Sequence, residues 1–71
     1  MEMMQVKFGD LVRQAVKKRD AEQCGRIAER LWCKHRLNYD DTFKFVHELT
    51  RIELPEWDEL LRQAEYLEGH R

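Results

Sequence analysis

The stretch DAEQCGRIAERLWCKHR, residues 20–36, decides the fold. Its apolar residues Cys24, Ile27, Ala28, Leu31 and Trp32 recur at helical spacing, which places them on one face of a helix. Asp20 stands where an N-cap carboxylate accepts from unpaired backbone N–H groups, and Gln23 completes a capping-box pattern three places on. Arg26, Arg30 and Lys34 stack one turn apart on the opposite side, and Glu22 precedes Arg26 in the favourable order for a helical ion pair. Lys34, His35 and Arg36 end the stretch with positive charge, which suits the negative end of the helix dipole.

Upstream, Met4, Phe8, Leu11, Val12, Ala15 and Val16 define the stripe of a first helix from about Met4 to Lys18. Its start is open, because Gly9 is a poor interior residue and Asp10 would serve as a later N-cap. Val6 falls off the stripe. Downstream, Asn38 is an N-cap candidate, and Asp40 and Asp41 put negative charge at a third helix's positive end. Tyr39, Phe43, Val46, Leu49 and Thr50 share its face, with Phe45 at the edge. That helix is expected to end near residues 51–54, because the residue before a proline avoids helical geometry. Pro55 then opens a fourth helix at its first position. Trp57, Leu60, Leu61, Ala64 and Leu67 form its stripe, and Gly69 makes a C-terminal stop.

No segment alternates with period two for long enough to form a sheet, so the expected class is all-α. Residues 1–71 read as a single helical domain, since domains run to roughly 50–250 residues. Short links favour antiparallel neighbours, which predicts a small four-helix bundle or two stacked helical hairpins.

Lys and Arg number 13 against 14 Asp and Glu, a formal net charge of −1. That balance speaks against a dedicated polyanion binder and against an acidic disordered chain. No apolar run approaches the roughly 20 residues needed to span a bilayer. Nothing near Met1 resembles a signal peptide. The expected location is cytoplasmic, with Cys24 and Cys33 reduced.

Chemistry-bearing patterns are sparse. Cys24 and Cys33 lie nine residues apart on one helix, which turns them to opposite faces. Cys33 and His35 also diverge, and neither His47 nor His70 has a ligand one turn away. No metal or cofactor is therefore expected. The chain contains no serine. Cys33 and His47 are the one conceivable thiol–imidazole pair, and Gly9, Gly25 and Gly69 form no phosphate loop. The expectation is a protein without catalytic activity.

Two binding readings remain. Trp32, Phe45 and Tyr66 are large groups left over once each helix has its best core face, which suggests a protein–protein module. A small domain gains stability by self-association, so a homodimer is the expected form. The alternative is a nucleic-acid-associated regulator using Lys17, Lys18, Arg26, Arg30 and Lys34. Against it, Asp40 and Asp41 would oppose phosphates if the third helix were the reading element.

Overall fold

A computed structural model of the chain describes the backbone from Glu2 to Gly69 and the side chains of residues 7–69. Met4, Val6 and His70 therefore contribute no side-chain observations. The described residues form four helices and no strand, so the all-α expectation holds: α1 (Glu2–Lys17), α2 (Ala21–Cys33), α3 (Tyr39–Thr50) and α4 (Leu54–Gly69).

Local chemistry sets the helix ends. α1 runs unbroken through Gly9, which answers whether the residues before Asp10 are helical. The Asp20 carboxylate accepts from the Gln23 N–H at 3.2 Å, and the Asn38 side-chain oxygen accepts from the Asp41 N–H at 2.8 Å. Both N-caps were legible from residue type alone. α4 begins one residue early. The Glu53 carbonyl accepts from the Trp57 N–H, so Pro55 is the second helical residue and not the first.

Three arginines in the links hold left-handed backbone: Arg19 (φ 56°), Arg36 (φ 56°) and Arg51 (φ 62°). Left-handed geometry costs an L-residue roughly 1–2 kcal/mol, and glycine adopts it freely. At Arg19 the compensation is visible. Its N–H donates to the Val16 carbonyl and the Asp20 N–H donates to the Ala15 carbonyl, the paired bonds that close a helix C-terminus.

Side-chain contacts give the helix directions. Phe8, early in α1, meets Arg30 and His35 at the far end of α2, so these two helices are antiparallel. Arg19, at the head of α2, pairs with Glu56 in the first turn of α4, and Gly25 lies against Ala64 further along. α2 and α4 thus run the same way. Phe8 stacks on Phe45 and Gly9 lies beside Leu49, so α1 and α3 are also parallel. The most extensive helix contact is α2 on α4, followed by α1 on α3, and among the described residues the α1 and α4 backbones do not approach each other. The bundle is two antiparallel hairpins stacked side by side.

Val12, Ala15, Val16, Ala21, Cys24, Ile27, Ala28, Leu31, Val46, Ile52, Trp57 and Leu60 form its core. α3 is rotated from the expected stripe. Thr42 and Val46 lie at its buried centre, while Tyr39, the first residue of the helix, is 37% exposed. In α4 the buried face stops short of its last turn, leaving Leu67 48% exposed.

Candidate functional site

Two clefts flank the hairpin stack, and their charges are opposite. The first runs between α2 and α4 with a volume of about 280 Å³. Its apolar surface comes from Trp32, Leu61, Ala64 and Leu67, with Gly25 allowing the two helices to approach. Trp32 is 39% exposed here, because α2 carries it at the edge of its stripe. Glu22, Glu29, Glu65 and Glu68 line the same groove against a single cation, Arg26. Arg26 Nη2 is 3.2 Å from Glu22 Oε2. Glu29, Glu65 and Glu68 make no ion pair among the described residues, so the groove keeps a negative excess.

The second cleft, about 450 Å³, lies beside the C-terminal turns of α1 and α3 and is lined by Arg13, Lys17, Arg19 and Arg51 against Glu56. Here the excess is positive.

The candidate partner residues divide. Trp32 lines the groove. Phe45 is half buried and stacks on Phe8 with ring centroids 6.2 Å apart, so it is turned into the hairpin interface. Tyr66 is 64% exposed but does not line the groove. These three aromatics therefore do not form one patch.

The basic candidates divide as well. Lys17 lines the positive cleft and Lys18 is exposed in the adjoining link. Arg26 lies in the negative groove, and the Arg30 guanidinium sits 4.7 Å from the Phe8 ring centroid. Lys34 is exposed at the end of α2, where its N–H closes the helix on the Arg30 carbonyl. The basic side of α2 is thus interrupted by Glu22 and by the Phe8 contact.

Neither cleft contains Cys33 or His47. His47 Nδ1 is 2.7 Å from the Ile52 carbonyl oxygen, so the imidazole secures the α3–α4 link. Cys24 is wholly buried, and burial, followed by the Asp20 carboxylate, pushes its thiol up to about 11. No group of three or more His, Cys, Asp or Glu side chains able to hold a metal occurs among the described residues. Among the same residues, no helix is long and apolar enough to cross a membrane.

The groove residues that sequence reading missed are Gly25, Leu61, Leu67 and the glutamates at 29, 65 and 68. A glycine in mid-helix was the available signal, because it marks a place where another backbone or small side chain comes close. Comparison with protein families, curated proteins and solved structures gives no match to this chain.

Proposed function

We propose that this chain is a non-catalytic interaction module that receives a cationic amphipathic helix of a partner protein in the α2–α4 groove. The observation that carries this reading is an exposed apolar strip, Trp32 with Leu67, bordered by the carboxylates of Glu29, Glu65 and Glu68, which make no ion pair among the described residues. Helix-in-groove recognition needs those two parts: apolar pockets for anchors one turn apart, and rim charge of the opposite sign to the ligand. A tryptophan in a groove is a common energetic centre of such contacts.

Charge also argues for a different partner over a second copy in this groove. A two-fold self-contact brings the same patch of each protomer together, so one surface with a negative excess would meet another of the same sign. Lysines or arginines beside an apolar stripe relieve that repulsion. A cytoplasmic setting belongs to the same proposal, with Cys24 and Cys33 both unbridged on one helix.

The test is selection from a displayed library of randomised amphipathic helices, followed by amide-shift mapping of the best binders. The expected winners carry Lys or Arg beside an apolar stripe and perturb Gly25, Trp32, Ala64 and Leu67. Glu65→Lys with Glu68→Lys should weaken them by about tenfold or more. No enrichment, neutral or acidic winners, or shifts on another face would overturn the reading. So would a stable dimer in light scattering with its contact mapped to this groove.

A further inference from the structure

The positive cleft has no role in a groove that captures a cationic helix. Its four cations differ in how they are held. Arg13 Nη1 lies 3.1 Å from Asp10 Oδ1, and Arg19 Nη2 lies 2.6 Å from Glu56 Oε2. Those pairs orient two guanidinium groups. Lys17 and Arg51 have no carboxylate partner among the described residues, and what opposes their charge is the partial negative end of α1 and of α3, about half a unit each. Each stands at the end of a helix, Lys17 in the last turn of α1 and Arg51 as the C-cap of α3. Because α1 and α3 are parallel, both ends reach the same side of the molecule.

Arg19 and Arg51 are also two of the three residues with left-handed backbone, and both line this cleft. Glycine would meet that geometry at lower cost. At both positions the chain instead carries a guanidinium, the group best suited to two-pronged contact with phosphate oxygens. The floor beneath is apolar, from Val16, Leu49 and Ile52. The Thr50 hydroxyl is already committed, donating to the Val46 carbonyl and accepting from the Ile52 N–H. Recognition therefore falls to the cations.

We propose that this cleft binds a small phosphorylated ligand carrying at least two phosphate groups. Asp10 and Glu56 offset two of the four cations, but each paired guanidinium keeps N–H donors beyond its one carboxylate contact. Lys17 and Arg51 stand on different helices, so two linked phosphates engage more of these separated donors than one can. The ligand is compact because the positive surface is. Further along the molecule, Arg26 is drawn into the negative groove and Arg30 covers Phe8, so among the described residues the basic side of α2 does not continue the cleft into a track that follows a nucleic-acid backbone.

Arg51→Gly allows a clean test, since it deletes a cation while relieving the left-handed backbone. Pyrophosphate is titrated into the intact chain by calorimetry at low salt, with orthophosphate and a short single-stranded oligonucleotide as comparators. Amide shifts report the site. The expected result is saturable one-to-one pyrophosphate binding, about tenfold tighter than orthophosphate, with shifts at Lys17, Arg19 and Arg51. A Lys17→Ala, Arg51→Gly double variant should remain folded and lose at least about tenfold in affinity. Absence of saturable binding, shifts spread over the surface, or unchanged affinity in a folded double variant overturns the proposal. Oligonucleotide binding that is tighter per phosphate and falls steeply with salt overturns it too, in favour of a nucleic-acid surface.

Discussion

Gly25 of α2 and Ala64 of α4 meet so closely that a Cβ added to Gly25 would lie 2.6 Å from the Ala64 Cβ. That distance is well inside van der Waals contact, and neither atom sits on a side chain that can swing away. In an isolated helix, Gly25→Ala would gain about 1 kcal/mol. Here it forces α2 and α4 apart, at a cost of about 1–3 kcal/mol. The variant is expected to be less stable than the parent in urea unfolding. Adding Ala64→Gly should recover part of the loss, because the second change removes the opposing methyl. A more stable Gly25→Ala would show that the two helices do not pack in this register.

This contact explains why some of the structure was legible in the sequence and some was not. Asp20 and Asn38 act within one turn of their own position, so residue type sufficed to find both caps. The stripe of α2 was also readable, because Cys24, Ile27, Ala28 and Leu31 are all buried as their spacing implied. Thr42 was absent from the expected stripe of α3 and Leu67 was included in that of α4, and both differ from the structure for a common reason. Periodicity shows which face of a helix is apolar, but not which neighbour meets it or where that neighbour ends. Thr42 is central because α3 is rotated, and Leu67 is half exposed because the buried face of α4 ends before its last turn. The groove was hidden for the same reason. Its parts lie on two helices far apart in sequence, and only their parallel pairing joins Trp32 to Leu67.

The Thr42 side chain is wholly buried, and its Oγ1 has no hydrogen-bond partner among the described residues. A buried hydroxyl that gives up water without replacement costs about 1–3 kcal/mol, while an apolar group of the same shape avoids that penalty. Thr42→Val should therefore raise stability by about 1 kcal/mol, read as a higher urea midpoint at unchanged slope. Thr42→Ala should lower it, since that change also removes a packed methyl. A destabilised valine variant would mean that the hydroxyl does find a partner in solution.

The two cysteines should behave differently. Cys33 is exposed, whereas Cys24 is enclosed and its thiol is pushed up to about 11. Near pH 8 a thiol reagent should label one group per chain quickly, and Cys33→Ser should abolish that fast phase. Linkage gives a second expectation. The unfolded chain releases the Cys24 proton near its ordinary value while the folded chain retains it, so the unfolded state binds fewer protons in the interval between. Stability then falls as pH rises from about 9 toward 11, and lower pH retains it. Cys24→Ala should flatten that decline in urea titrations. Equal labelling rates for both thiols would show that Cys24 is not enclosed.

Trp57 and Trp32 offer the sharpest contrast, because one is wholly buried and the other is a groove residue. Trp57→Ala should cost about 3–5 kcal/mol, a large part of a small domain's total of about 5–15 kcal/mol. Trp32→Ala should leave the fold intact. Trp57→Phe keeps an aromatic ring in the core and removes a buried indole N–H that has no partner among the described residues, so it should also stay folded. Trp32 then becomes the only source of tryptophan emission. In that variant a cationic amphipathic helix seated in the groove should shift emission to the blue and protect it from iodide, as water leaves the ring. Trp32→Phe, emitting from Trp57 alone, should show neither change with the same peptide. Equal responses in the two variants would place the peptide elsewhere, whatever its affinity.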